Sequence, residues 1–254
     1  MKNIPTNIAW KYVLYFLEKG YVHSLDYSKI SNLKDFHKEK KAIICGNGPS
    51  VDIAFLEELS KREDYIIFCA NRIHLIYNET EFRPDYVFTS DEQVIKDFGE
   101  EIISNNVNKT FIISKKKPLI REDYTWGFIL NHRPFRFQDD VLKGFSSGAG
   151  SLFPAIQLAY YMGINEMYLY GVDHNFKYTK RKDGMTNGEG NHFIKNYRNN
   201  KDWIPPTYDL VEQAFVECDN FLRKNGGMLL NATNGGKLEV LDRISYKDLI
   251  IMDK

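Results

Sequence analysis

Cysteine is scarce in this chain: Cys45, Cys69 and Cys218 are the only three, and each stands in an apolar setting rather than in a disulfide framework. They read as free buried thiols, which suits a reducing cytoplasm. Excess charge is missing too, because 34 basic and 34 acidic residues cancel. Non-specific nucleic-acid binding therefore has no global electrostatic support, and no nucleic-acid partner is expected. No apolar run reaches the roughly 20 residues needed to span a bilayer, and no segment reads as a signal peptide. The nearest approach is residues 8–19 (IAWKYVLYFLEK), with Trp10, Val13, Leu14 and Leu17 on one face and Gly20 as a stop. This stretch is expected to pack on the domain, with peripheral membrane contact as the second reading.

Several chemistries lack their signatures. DxD, HExxH, paired CxxC and GxxxxGK[ST] are all absent, so no metal site is specified, although Asp91 with Glu92 could hold Mg²⁺ beside a phosphate. Residues 46–50 (GNGPS) depart from GxGxxG spacing, which disfavours a nicotinamide cofactor. Residues 148–150 (GAG) fail the nucleophile-elbow pattern, so a hydrolase nucleophile is not in view.

What is present centres on residues 41–59, KAIICGNGPSVDIAFLEEL. An isoleucine-rich run reads as a buried parallel strand, breaks at Gly46-Asn47-Gly48-Pro49-Ser50, and gives way to helical spacing at Val51, Ala54, Phe55 and Leu59. The glycines allow close approach of a ligand. Ser50 is placed to cap the helix, whose free N–H groups favour a phosphate. A turn built for geometry alone is the competing reading.

Further short β-rich runs occur at 65–70 (YIIFCA), 85–90 (DYVFTS), 110–114 (TFIIS), 127–130 (GFIL), 166–170 (EMYLY) and 228–231 (MLLN). With helical stretches between them, they predict an α/β fold: a single Rossmann-like, doubly wound, mostly parallel sheet with helices on both faces. Asn47, Asn71, Ser90 with Asp91, and Asp173 follow the carboxyl ends of these strands, as a cleft at that edge requires. Residues 146–162 are apolar nearly all round and predict a buried helix stopped by Gly163. Its entrance, Ser146-Ser147-Gly148-Ala149-Gly150, is either a second anion site or a close helix contact. Residues 207–224 carry Leu210, Val211, Ala214, Phe215, Cys218, Phe221 and Leu222 on one stripe, which is core. Pro205 and Pro206 precede this helix, and Gly226 and Gly227 end it.

Residues 1–40 are expected to form an N-terminal helix and a polar connector, and residues 41–254 the domain. Hydrophobic periodicity disappears at about 174–206, which predicts a lid-like insertion. Titratable residues concentrate there and at its hinge: Asp173, His174, Tyr178, Lys180, Arg181, Lys182, His192, Tyr197 and Arg198. A histidine can deprotonate an acceptor hydroxyl, while tyrosine, lysine or arginine stabilises a departing phosphate without metal. His192 is the candidate base, Tyr178 and Tyr197 are candidates for the second role, and His174 joins them as a catalytic candidate.

In order along the chain, residues 46–50, the SSG of 146–148, INEMYLYGVDHNF of 164–176 and NHFIKNY of 191–197 resemble the motifs of bacterial CMP-sialic-acid-dependent sialyltransferases of the Campylobacter type. NATNGGKLEVLDRISYKDL at 231–249 resembles the end of the domain shared by motility-associated-factor (MAF) flagellin glycosyltransferases and MptE-like proteins. The resemblance implies a CMP-sugar co-substrate held by Asn47, Gly48, Asn71, Ser146, Ser147 and Gly148, with Pro49, Ser50, Ser90, Asp91 and Asp173 beside it. It implies no resident cofactor. Tyrosines of the lid would support the leaving phosphate. His192 aligns with an earlier histidine of the motif, whereas Asn196 stands where the sialyltransferases carry their base.

The implied activity is metal-independent inverting transfer of a sialic-acid-like sugar to a glycan or protein acceptor, in a homo-oligomer such as those sialyltransferases form. The MptE-like resemblance implies instead a pyrophosphokinase acting on a hydroxymethylpterin with Mg²⁺ at Asp91 or Asp173. A nucleotide-binding regulator of a glycosylation system is the non-enzymatic alternative.

Overall fold

The computed structural model describes residues 24–119, 121–130, 135–148, 150–179, 181–186 and 188–251. The helix predicted over residues 8–19 lies outside the described residues, as does Lys180.

The strands form where buried β-rich runs occur: β1 (Lys41–Cys45), β2 (Tyr65–Ala70), β3 (Tyr86–Thr89), β4 (Thr110–Ser114), β5 (Thr125–Leu130), β6 (Phe145–Ser146), β7 (Glu166–Tyr170) and β8 (Met228–Asn231). They pair in the order β6-β5-β4-β3-β2-β1-β7-β8, and every pairing is parallel. The chain winds outward from β1 to β6, then returns to lay β7 on the other side of β1. The switch point is therefore the crevice between β1 and β7, where open α/β sheets bind ligands.

Helices cover both faces. On one lie α1 (Ser24–Ser31), α4 (Leu152–Tyr161) and α5 (Tyr208–Lys224), which pack Ile30, Phe153, Ile156, Phe215 and Leu222 against alternate strand residues such as Ala42, Ile44 and Phe68. The other face carries α2 (Ile53–Leu59), α3 (Glu92–Asn105) and α6 (Asp248–Ile251), which meet Ile43, Cys45 and Ile67 through Leu56, Phe98 and Leu249. The alternation follows from the period-2 pleat of strands buried on both sides.

Three sequence expectations are corrected. The connector before β1 includes a helix, α1. The cap of α2 is Asp52, whose Oδ1 accepts from the Ala54 and Phe55 amides; Ser50 is turned elsewhere. The helix predicted from residue 146 begins at Leu152, because Phe145 and Ser146 pair with Ile129 and Leu130 as an edge strand. That pairing also makes eight strands where seven were predicted.

Candidate functional site

The Gly46–Ser50 turn leaves β1 directly beside Gly171 at the end of β7. The Gly46 amide donates to the Tyr170 carbonyl at 2.8 Å and the Gly48 amide to the Gly171 carbonyl at 2.9 Å. Asp173 then reaches across, its Oδ2 accepting from the Ser50 hydroxyl at 2.8 Å and the Ser50 amide at 3.3 Å. The Val51 amide is bonded back to the Gly48 carbonyl. These amides are thus spent inside the turn, and a carboxylate already occupies the place where a phosphate would seek them. Pro49 is exposed on the outer side of the turn.

Asn47 is the residue of the turn that faces onward. Its Nδ2 donates to the Ala70 carbonyl at 2.8 Å, while its buried Oδ1 has no partner. Asn71, in a left-handed conformation (φ 52°) at the end of β2, and Ser90, at the end of β3, meet at Ser151. The Ser151 hydroxyl accepts from the Ser90 amide at 2.9 Å and donates to Asn71 Oδ1 at 3.2 Å. Asp91 caps α3, its Oδ1 accepting from Gln93 and Val94 amides. Sequence reasoning missed Ser151, whose role is visible only when the chain returns from β6 across the sheet edge.

Ser146 and Ser147 stay with β6, five strands from β1, or about 24 Å at ordinary strand spacing. Both peptide groups of Ser146 are bonded to the buried Gln157 side chain, and the Ser147 amide donates to the Leu130 carbonyl. At Gly148 an added Cβ would stand 2.2 Å from the Phe153 ring, so its small size serves a close helix contact. These three residues thus have an architectural role in holding β6 and the helix entrance.

Residues 174–206 form no helix or strand among the described residues, but they are braced as a strap. The root is fixed to α5: His174 Nε2 lies 3.0 Å from Glu212 Oε1, and the Phe176 amide donates to the Tyr208 hydroxyl at 2.8 Å. Farther on, Thr186 and Trp203 exchange backbone hydrogen bonds, and Asn191 ties the two limbs together through Lys177 and Gly188. Arg181 forms ion pairs with Asp183 and Asp202 at the exposed edge. Tyr178 packs edge-on against Trp203, with ring centroids 5.8 Å apart.

The strap docks on the sheet edge at two places. The Phe193 amide donates to the Asn47 carbonyl at 3.0 Å, and the Arg72 amide donates to the Tyr197 hydroxyl at 3.1 Å. The Arg72 guanidinium also donates to the Tyr197 carbonyl and grips Glu101 with both Glu101 oxygens, at 2.8 and 3.0 Å. His192 stacks on Tyr197, with centroids 3.9 Å apart and planes 6° from parallel. Burial, with help from Arg198 and Arg72, pushes the His192 pKa down to about 4, so the ring is neutral at pH 7. Burial drives the Tyr197 phenol upward, which keeps its proton in place.

His192, Tyr197, Asn47 and Asn71 are therefore brought to one edge, Asp173 and Ser50 close the turn beside them, and Tyr178 lies behind Trp203. His174 belongs to the strap's root. Arg72 and Trp203 were not singled out from sequence; an arginine right after a strand end, as at Arg72, was the available signal. Among the described residues, an open hollow of about 490 Å³ lies elsewhere, by Lys41 and Glu166 at the amino ends of β1 and β7, and another of about 420 Å³ runs along the outer side of α5. No cluster of three metal-ligating side chains occurs among the described residues. Among the same residues, no helix is long and apolar enough to cross a membrane.

A family described as 6-hydroxymethylpterin diphosphokinase MptE-like matches residues 19–179. No curated protein matches the chain. Among solved structures, a MAf glycosyltransferase from Magnetospirillum magneticum AMB-1 is similar, with a TM-score of 0.51 at 12% identity over 89% of this chain. The chain spans 39% of that protein's length, and at this identity the likeness is one of fold.

Proposed function

The chain belongs to the MptE-like family, and from that premise we propose that it is a glycosyltransferase taking its sugar from a nucleotide donor, CMP-linked and sialic-acid-like, to a hydroxyl of a glycan or glycoprotein. The observation that carries the reading is the docking of the strap on the carboxyl ends of β1 and β2, which sets a neutral histidine on a protonated tyrosine at the carboxyl edge of the sheet beside the switch point. The nucleoside lies along Asn47, Asn71 and the Asp173-braced turn. His192 accepts the proton of the acceptor hydroxyl as its oxygen bonds to the anomeric carbon. The bond from that carbon to the phosphate oxygen breaks in the same step, with inversion, and CMP leaves carrying the electron pair. The Tyr197 phenol donates to the departing phosphate.

A base of pKa about 4 is weak for this task at neutral pH. An anionic donor beside it raises that value, so the histidine strengthens as the site fills.

The family description favours one second reading, diphosphoryl transfer. Mg²⁺ commonly takes one or two carboxylates together with substrate phosphates, and either Asp91 or Asp173 could supply one such carboxylate, each having one oxygen engaged within the protein. The metal would supply charge neutralisation at the transferred phosphates.

The deciding experiment is a thermal-shift panel of CMP, CDP, UDP, GDP and ATP, each with Mg²⁺ and with EDTA. Ligand at about 100 times its dissociation constant adds roughly 2.7 kcal/mol to stability. Stabilisation by cytidine nucleotides in EDTA is expected. A shift confined to ATP with Mg²⁺ overturns the glycosyltransferase reading in favour of the second.

A further inference from the structure

The strap covers a guanidinium whose hydrogen-bonding capacity is not met. Arg198 is 7% exposed, and its buried Nε has no partner. Its Nη2 donates to the Asp202 carbonyl at 3.2 Å, and its nearest carboxylate is Asp97 at 3.8 Å. Neither partner depends on it. The Asp202 carbonyl also accepts from Gln93 Nε2, and Asp97 has Lys201 at 3.3 Å. Arg72 differs, being compensated by Glu101.

The two guanidiniums share one ring: Arg72 lies 3.9 Å and Arg198 5.5 Å from the Phe98 centroid. Burial pulls the Arg198 charge below its ordinary pKa, against the opposing pull of Asp91 and Asp97. A second donor of the strap is also unmet. Trp203 Nε1 is buried without a partner, and its ring stands 6.4 Å from His192, which stacks on Tyr197, the residue next to Arg198. Buried polar groups are normally paired, and burying a charge without close compensation is costly. Two orphan donors, one of them charged, under one strap have the chemistry of a site waiting for an oxyanion.

At the Gly46–Ser50 turn the opposite holds. The Asp173 carboxylate accepts from the Ser50 amide and hydroxyl, so a phosphate is repelled there.

We propose that Arg198, backed by Arg72 and joined by the Trp203 indole N–H, forms the subsite that receives a phosphate of the substrate. The phosphate is that of the nucleotide donor, and in this the inference rests on the proposed function. Arg198 thus binds the group that departs, and the Arg72–Glu101 pair holds the strap residue next to it in place.

The test uses inorganic pyrophosphate as the probe, so the anion subsite is read without a nucleoside. Wild-type protein, R198M and R198K are titrated calorimetrically at low ionic strength, and the melting temperature of each free protein is recorded. R198M is expected to bind pyrophosphate at least about tenfold more weakly, as loss of a charge-assisted pair implies. Its free form is expected to melt at or above the wild-type temperature, because the buried Arg198 charge is held by a carboxylate only at 3.8 Å, and Asp97 keeps Lys201 when an apolar chain of similar length takes the arginine's place. A merely structural arginine would lower the melting temperature and leave the anion affinity alone. R198K keeps the charge and loses the Nε donor, so severalfold weaker binding is expected.

Absence of pyrophosphate binding by wild type overturns the subsite, as does wild-type affinity in R198M or R198K. The nucleotide reading is separable from it. If pyrophosphate binding depends on Arg198 while no cytidine nucleotide stabilises the protein, the subsite stands and the CMP donor falls. Equal stabilisation of wild type and R198M by CMP keeps the donor and removes Arg198.

Discussion

The Asp173 carboxylate and the Gly48 backbone fill one space: a Cβ added at Gly48 would stand 1.8 Å from Asp173 Oδ2 and 2.7 Å from the Gly171 carbonyl oxygen. Gly48→Ala therefore expels the carboxylate from its bonds to Ser50 or separates β1 from β7 at the switch point. Overpacking of this kind costs about 1–3 kcal/mol. Urea unfolding of G48A should show a lowered midpoint with an unchanged slope. A wild-type midpoint would mean that the turn can move aside, and the tight crevice described above would be wrong.

The relation between Gly48 and Asp173 also shows where sequence reading reached its limit. The strand ends were legible because isoleucine-rich runs stop at glycine or asparagine, and the strap was legible because periodicity vanishes. Ser50 looked like a helix cap on local grounds; what redirects it is a carboxylate 123 positions away. Asp52, two residues on, takes the cap instead. Residues 146–162 failed differently. An apolar run has the same appearance whether it begins as an edge strand or as a helix, and the two residues that pair with β5 are too few to show a period of 2. The small residues there matched a phosphate-loop pattern, but Gly148 is small to admit Phe153.

Ser151 ties together three elements of the edge, accepting from the Ser90 amide and donating to Asn71. In Ser151→Ala the half-buried Ser90 N–H loses its acceptor, at a cost of about 1–3 kcal/mol. Asn71 loses its tether as well, so nucleotide affinity should fall more than stability alone explains. Comparing the urea midpoint with the nucleotide-induced melting shift separates the two effects. An unchanged midpoint would show that water replaces the hydroxyl at no cost.

Gln157 is fully buried in α4 and spends its side chain on the Ser146 amide and carbonyl and on the Phe153 carbonyl. Gln157→Leu keeps the volume but strands the Ser146 peptide groups. Each unsatisfied buried group costs about 1–3 kcal/mol, so this substitution should be among the most destabilising single changes at β6. Hydrogen exchange at the Ser146 amide should accelerate in the variant. Retained protection there would assign the stability of β6 to its pairing with β5 alone.

The stacked pair His192–Tyr197 makes a prediction in which the sign is fixed by burial. The folded pKa of His192 is pushed down to about 4, while an unfolded histidine titrates near 6.5. Above pH 6.5 neither state holds the proton. Between 6.5 and 4 only the unfolded chain takes it up, so folding stability is lost as the pH falls through this window, by up to about 3 kcal/mol. Burial lowers His37 and His74 in the same direction, so the overall slope is not specific to one residue. His192→Phe isolates the contribution, since it keeps a flat ring on Tyr197 and removes the titration. Unfolding free energies measured from pH 7 to pH 4.5 should fall less steeply for H192F than for wild type, with the two curves converging toward neutral pH. Parallel curves would mean that His192 is solvated in solution and the strap stands away from the sheet. Activity then tells the other half: His192→Ala should lower turnover by about 10²-fold or more if the ring accepts the acceptor's proton. A variant that loses the acid sensitivity and keeps the rate would leave His192 as a packing residue of the strap and send the search for the base to the acceptor side of the crevice.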